Sequence, residues 1–392
     1  MSMQLSSRVT GITGGGSDGW EVFYAASARE AKGEPVANLT IGEHDIRTDP
    51  SILQAMYAAA LDGNTGYPPV PGTPQLRAAV AARVQARTGV STGPANILIT
   101  PGGQAALFAA HLGALDPGDT ALFIDPHYTT YPGTIRSAGG VPKAVMARSE
   151  DGFLPQENTL REAAKGAKSL MINTPNNPTG VVYGRKTLEG IARVCTDAGL
   201  WLISDEVYDT QVWDGTHLSP RALPGLAERT LVVGSLSKSH AMTGSRLGWL
   251  IGPEHAISHF ANLATHTTYG VPGFIQDAGR FALAQGDGLE ASIAGPFKRR
   301  REIVLRALDG QQVVRATPPQ GAMYVMLDIR ATGMSGAEFA VRLLDEENIA
   351  VMPGESFGTS AAGHVRVAMT LPDEAFGQSV ARLVAFAGKI AA

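Results

Sequence analysis

Between residues 90 and 255 the chain alternates short apolar runs with longer stretches of helical spacing. The runs fall at 97–100, 121–124, 142–146, 169–173, 201–204, 231–234 and 249–251. Each predicts a strand. Most lack polar alternation, which predicts burial on both faces, as in a parallel sheet. Residues 104–115 and 185–198 predict helices between them. The alternation predicts an α/β fold, with a large domain over 49–288 built on a mainly parallel sheet covered by helices on both faces. Residues 1–48 predict an arm and part of a second, smaller body, with a turn at Gly14-Gly15-Gly16, a helix over 20–32 and a strand over 37–41. Residues 289–392 predict the rest of that α+β body: strands at 321–329, 349–352 and 364–368, and helices at 336–348 and from 374 to the end. The run Phe297-Lys298-Arg299-Arg300-Arg301 predicts a charged helix with a solvated face.

In open α/β sheets, ligands bind beyond the carboxyl ends of the strands. The residues that follow the apolar runs are therefore where chemistry is expected. After 97–100 stands Pro101-Gly102-Gly103-Gln104, opening a helix whose free N–H groups suit a phosphate. After 121–124 comes Asp125-Pro126-His127-Tyr128, which offers an aromatic face. After 169–173 comes Thr174-Pro175-Asn176-Asn177-Pro178-Thr179-Gly180, a turn with two amides. After 201–204 comes Asp205-Glu206-Val207-Tyr208. After 231–234 the chain reads GSLSKSHAMTGSRLGW over residues 234–249. This stretch puts the hydroxyls of Ser235 and Ser237 beside Lys238, with Arg246 eight residues further on. One such piece is ordinary turn or cap chemistry. Five at successive strand ends predict one site.

Composition narrows the function without choosing it. The chain has 392 residues, 44% hydrophobic and 17% charged, enough to bury a large core. A net charge of −4 gives no electrostatic case for a nucleic-acid or anionic-membrane partner. The single cysteine, Cys195, excludes an internal disulfide and suits a reducing compartment. No segment has signal-peptide or bilayer-spanning character, which predicts a cytoplasmic location. The nine histidines show no metal-ligand spacing beyond the pair His255 and His259, so no metal is expected.

Lysine forms Schiff bases with carbonyl compounds. Hydroxyls beside an arginine cradle a phosphate. Pyridoxal 5'-phosphate carries both an aldehyde and a phosphate, so the expected cofactor is that one. Across the strand ends, Lys238 would hold its aldehyde and, once released, act as the base that moves the substrate α-proton. Asp205 would face the pyridine nitrogen and keep it protonated. Asn177 and Tyr208 would donate to the ring's phenolic oxygen, and Tyr128 would lie on the ring face. The phosphate would meet the backbone N–H groups of Gly103 and Gln104, the hydroxyls of Ser235 and Ser237, and Arg246. Arg366, in Gly363-His364-Val365-Arg366-Val367, is the candidate partner for the substrate α-carboxylate.

These motifs resemble the class I/II pyridoxal-phosphate-dependent aminotransferases, of the aspartate aminotransferase fold (fold type I). The likeness rests on Ser235-Leu236-Ser237-Lys238 through Gly244-Ser245-Arg246-Leu247-Gly248, with Asn177-Pro178-Thr179-Gly180 and Asp205-Glu206-Val207-Tyr208 in the expected order. The stretches 235–244, 204–218 and 269–277 are most similar to arginine:pyruvate transaminases. The resemblance implies transfer of an amino group from an L-amino acid to a 2-oxo acid, by a ping-pong mechanism through a Lys238 Schiff base. It implies a homodimer in which Tyr67, in Tyr67-Pro68-Pro69, reaches the phosphate of the partner subunit's cofactor. It places Gly42 at the substrate carboxylate, and Pro319-Gln320-Gly321-Ala322 at the start of the C-terminal domain. The chain departs from the family at Ser245, where an aromatic is usual. It departs again at Gln104, where aspartate-specific bacterial relatives carry a lysine. A carbon–sulfur or related lyase on the same scaffold is left open by these residues.

Overall fold

The computed structural model describes residues 3–16 and 19–392. The arm expected over 1–48 includes residues 1, 2, 17 and 18, which lie outside the described residues. Thirteen strands form three sheets among the described residues. The main sheet holds β2 (Ile97–Thr100), β3 (Thr120–Asp125), β4 (Val141–Met146), β5 (Ala167–Asn173), β6 (Trp201–Asp205), β7 (Thr230–Ser235) and β8 (Gly248–Ile251). Their order across the sheet is β2-β8-β7-β6-β5-β3-β4. Pairs from β7 through β4 are parallel. β8 runs antiparallel to both β7 and β2, so the sheet is mainly parallel with one reversed strand. β2 and β5 to β8 are buried almost throughout, as their unbroken apolar runs predict. β4 is an edge strand, and Val141 and Met146 are exposed. The chain's progress across the sheet changes side between β3 and β5, with β4 on one side of β3 and β5 to β7 on the other, and that is where such a sheet opens a crevice.

Local signals set the helix ends. Asp49 caps the helix Pro50–Leu61 through Ser51 N–H, with Pro50 in the first turn. Thr73 caps Pro74–Thr88, and Gly89 closes it in the left-handed conformation. Ser335 and Glu338 form a capping box on Gly336–Glu347, which ends at left-handed Asn348. The helices at Gly103–Ala114 and Arg185–Asp197 lie within one residue of their predicted ends.

The second body carries a four-stranded antiparallel sheet, ordered β12 (Met352–Pro353), β13 (His364–Ala368), β10 (Tyr324–Asp328), β9 (Arg315–Ala316). Beside it β1 (Ala37–Asn38) pairs in parallel with β11 (Ile349–Ala350). The run predicted as one strand over 349–352 is thus two short strands serving two sheets. The N-terminal segment shares this body's core, where Val22, Ala26 and Leu39 pack with Val325, Phe339 and Phe376.

The predicted solvated face of 297–301 holds for Lys298 and Arg299, which are exposed, and is corrected at Phe297 and Arg300. Those residues lie inside a longer helix, Asp287–Ala307. Phe297 and Arg300 are both buried. The Arg300 guanidinium donates to Asp45 at 2.9 and 2.7 Å and to Asp373 at 2.9 Å. Three-residue spacing puts Phe297 and Arg300 on one face, turned inward, and that face ties residue 45 to the helix. Among the described residues no helix is long and apolar enough to cross a membrane.

Candidate active site

One cavity of about 290 Å³ opens at the carboxyl ends of β3, β5, β6 and β7. Gly42, Gly103, Gln104, Tyr128, Asn177, Asp205, Tyr208, Ser235, Ser237, Lys238, Arg246 and Arg366 all line it. The residues between Gly103 and Lys238 meet because strands of the main sheet end at the same edge, and Gly42 and Arg366 reach it from the second body. Tyr67 is not among them. It is 90% exposed on the outer surface, edge-on to Tyr269 with ring centroids 5.3 Å apart.

The cavity has a cationic end. Gly102 has a positive φ of 80° and leads into the helix Gly103–Ala114, with no side-chain cap on its first N–H groups. Arg246, itself left-handed at φ 52°, lays its guanidinium over Gly102 so closely that a Cβ there would collide with Nη2. Arg246 Nη1 donates to the Thr243 carbonyl at 2.8 Å. A Cβ on Gly248 would strike the Gly102–Gly103 peptide at 2.7–2.8 Å, so the two glycines let the strand and the helix start close up. Ser235 and Ser237 complete this end, hydroxyl to hydroxyl at 2.9 Å.

The opposite end is anionic. Asp205, the last residue of β6, accepts from Tyr131 Oη at 2.7 Å and from Val207 N–H at 3.3 Å. Burial pushes its carboxyl up to about 6, and the hydrogen bond from Tyr131 pulls the other way. Glu206, the next residue, turns away from the cavity. It is saturated by Ser204 (2.9 Å), Ser219 (2.8 Å) and His217 (3.0 Å). The paired acids after β6 therefore divide, one toward the site and one into the frame.

Lys238 lies between these ends on a single helical turn, Leu236–Ser239. Its Nζ donates to the Gly42 carbonyl. A Cβ on Gly42 would collide with Tyr324 Oη, so this backbone comes in close because residue 42 is glycine. Tyr324 Oη in turn meets Tyr208 Oη at 3.0 Å. Arg366 closes the roof from β13. It is 1% exposed, between the rings of Tyr324 and Phe357, each centroid 4.4 Å from its guanidinium carbon. Nη1 donates to Asn177 Oδ1 at 2.9 Å and Nη2 to the Thr40 carbonyl, while Nε has no partner. A buried guanidinium without a carboxylate is poised for one.

Sequence reading missed Tyr131, Tyr324 and Trp20, which also line the cavity. Tyr131 stands three residues after Tyr128, a spacing that could have flagged it. Tyr324 is indistinguishable from core in an apolar strand. The Gln104 side chain is held by neighbours and leaves its backbone N–H, the group expected at the phosphate, uncapped at the helix start. Its amide donates to Thr134 at 2.8 Å and accepts from Thr130 at 3.3 Å. It and Trp20 stand between the site and a neighbouring cavity of about 1170 Å³.

Comparison with known proteins settles the family. The family model "aminotransferase class I and II" matches residues 34–383. The chain belongs to the class I and II aminotransferases. Arginine–pyruvate transaminase of Pseudomonas aeruginosa is 40% identical over 99% of both chains. Aspartate/prephenate aminotransferase of Thermus thermophilus is 34% identical over 91% of this chain and 92% of its own. The solved structure of Thermus thermophilus aspartate aminotransferase with maleate superposes with a TM-score of 0.91 at 33% identity, covering 97% of this chain and 100% of that one. The fold is thus that of aspartate aminotransferase, and the enzyme is a pyridoxal-phosphate-dependent aminotransferase. The lyase alternative is not favoured, since each of these relatives is named an aminotransferase or transaminase. The aminotransferase's cavity fits the cofactor on its own chemistry. An uncapped helix N-terminus with an arginine and two hydroxyls suits a phosphate. A buried carboxylate suits a protonated ring nitrogen, and a lysine amine lies between them.

Proposed function

We propose that this aminotransferase carries its cofactor on Lys238 and runs both half-reactions in the 290 Å³ cavity. The carrying observation is the joining, in that one cavity, of a lysine amine, an arginine-crowned helix start and a buried carboxylate. Bound pyridoxal phosphate supplies an aldehyde that takes up an amine and a ring that draws off electrons as the α-proton leaves. The chain's residues do the rest. Gly103, Gln104, Ser235, Ser237 and Arg246 bind the phosphate. Asp205 keeps the ring nitrogen protonated, oriented by Tyr131. Tyr208 and Asn177 donate to the phenolic oxygen, and Tyr128 stacks on the ring. Arg366 binds the α-carboxylate beside Gly42. Lys238, once free, accepts the α-proton on Nζ, and the Gly42 carbonyl holds that nitrogen at the site. A Lys238→Ala variant is expected to lose the absorbance of the lysine-linked cofactor and at least about 10³-fold in turnover. Turnover near the wild-type value would overturn the assignment.

We further propose an amino donor with a long cationic side chain, with pyruvate as acceptor. The 40% identity to an arginine–pyruvate transaminase supports this. So does the charge of the lining. Once Lys238, Arg246 and Arg366 are committed, no cation among the described residues lining this cavity is left for a second carboxylate. Glu43 sits exposed at the rim, accepting from Thr243 Oγ1 at 3.1 Å, and its carboxylate can draw a positive side chain. L-arginine with pyruvate should therefore exceed L-aspartate with 2-oxoglutarate at least about 10-fold in kcat/KM, the scale of one well-placed charge pair. The reverse order would refute this donor class.

The active unit we propose is a cytoplasmic homodimer with Tyr67 donated to the partner's cofactor phosphate; the exposed Tyr67–Tyr269 pair supports it. We place the bodies at 49–288 and 289–392 with the arm 1–48, as the shared core of Val22, Leu39 and Phe376 supports.

A further inference from the structure

A single helical turn cannot satisfy its own last carbonyls, and Lys238 sits on one. Two side chains from remote parts of the chain close the Lys238 carbonyl instead. His44 Nε2 donates to it at 2.9 Å and Gln211 Nε2 at 3.2 Å. Gln211 is fully buried. The His44 ring stands edge-on to Phe297, centroids 5.3 Å apart. Its Nδ1 is buried with no partner, so the proton that makes the hydrogen bond resides on Nε2 of a neutral ring. Burial, and then the charge of Lys238, push its pKa down to about 4. The segment is fixed beyond His44 by the Asp45–Arg300 pair at 2.7 Å. Before it, the Gly42 carbonyl receives the lysine's own Nζ. Residues 42–45 thus hold both ends of one lysine, the main chain through His44 and the amine through Gly42.

We propose that His44 is a positioning residue for Lys238. Resting on the assignment of Lys238 as the cofactor-bearing lysine, the proposal gives His44 the task of fixing the root from which the amine swings. The lysine stem is long and has many rotamers. A displaced root therefore shifts every position its nitrogen can occupy, and a misplacement of about 1 Å costs on the order of 10²-fold in rate.

Two near-isosteric variants isolate the donor. His44→Gln keeps an N–H, whereas His44→Met matches its length, packs on Phe297 and has none. Pyridoxal phosphate is added to the cofactor-free proteins, and the growth of lysine-linked absorbance is timed. Lys238→Ala serves as control, with kcat, KM and denaturation midpoints measured alongside. His44→Gln should link within about 3-fold of the wild-type rate. His44→Met should be about 10-fold slower in linkage and in kcat, with KM unchanged and a midpoint matching that of His44→Gln. Equal linkage rates for the two variants would overturn the proposal, as would a change confined to KM. An absorbance that survives Lys238→Ala would instead strike the underlying assignment.

Discussion

At Asp205 the demands of folding and of chemistry oppose each other. Its rise from an ordinary 3.8 to about 6 corresponds to about 3 kcal/mol of destabilisation in the cofactor-free protein. The sign follows from proton counting. Between pH 4 and 6 the folded state holds more protons than the unfolded one, so this residue's contribution to stability falls as pH rises. Asp205→Asn should therefore raise the unfolding free energy of the cofactor-free protein by about 3 kcal/mol at pH 7, a gain that vanishes near pH 4. The same substitution should lower turnover by at least about 10²-fold, since a neutral amide cannot hold the ring nitrogen protonated. Denaturant titrations of both proteins at the two pH values test it, and a cofactor-free variant no more stable at pH 7 than wild type would contradict it. Asp205 was legible in the sequence because it ends an apolar run. Tyr131, which orients it, was not. It starts a short helix and reads as helix, and only the fold swings its hydroxyl onto β6.

At the level of elements, strand ends were readable because a strand buried on both faces leaves an unbroken apolar signature. Two features escaped that logic. β8 has the composition of its parallel neighbours, and nothing local encodes its reversed direction. The basic run 298–301 has the composition of a surface, yet helical phase turns Arg300 inward while Arg299 stays out. That difference makes adjacent arginines unequal. Arg300 is 3% exposed and clamps Asp45 and Asp373, so Arg300→Met should cost about 3 kcal/mol of stability. It should also lower kcat, because residues 42–45 lose their anchor on the long helix. Arg299 pairs with Asp373 in solvent, and Arg299→Met should change stability by less than about 0.5 kcal/mol. Comparable urea midpoints for the two variants would show that residue 45 is held by something other than this helix.

For the whole molecule, the exposed side of the helix Pro50–Leu61 carries an unspent apolar stripe. Leu53, Tyr57 and Leu61 recur every fourth residue and are 48%, 66% and 68% exposed. Tyr67 and Tyr269 lie exposed as well. Exposed apolar faces of this kind mark interaction surfaces, and a stripe on one face of a helix is self-complementary across a two-fold axis. In the proposed homodimer a second copy covers this stripe, and Tyr67, absent from its own chain's cavity, is the residue proposed to reach the other copy's phosphate end. Assembly and cofactor retention are then one property. The double variant Tyr57→Glu, Leu61→Glu places two charges in that stripe without touching the site. It should sediment as a 41.0 kDa monomer, against twice that mass for the wild type if the proposed homodimer forms, and it should lose cofactor on dialysis. A monomeric variant that keeps its cofactor and its turnover would separate the two properties and leave Tyr67 without its proposed role.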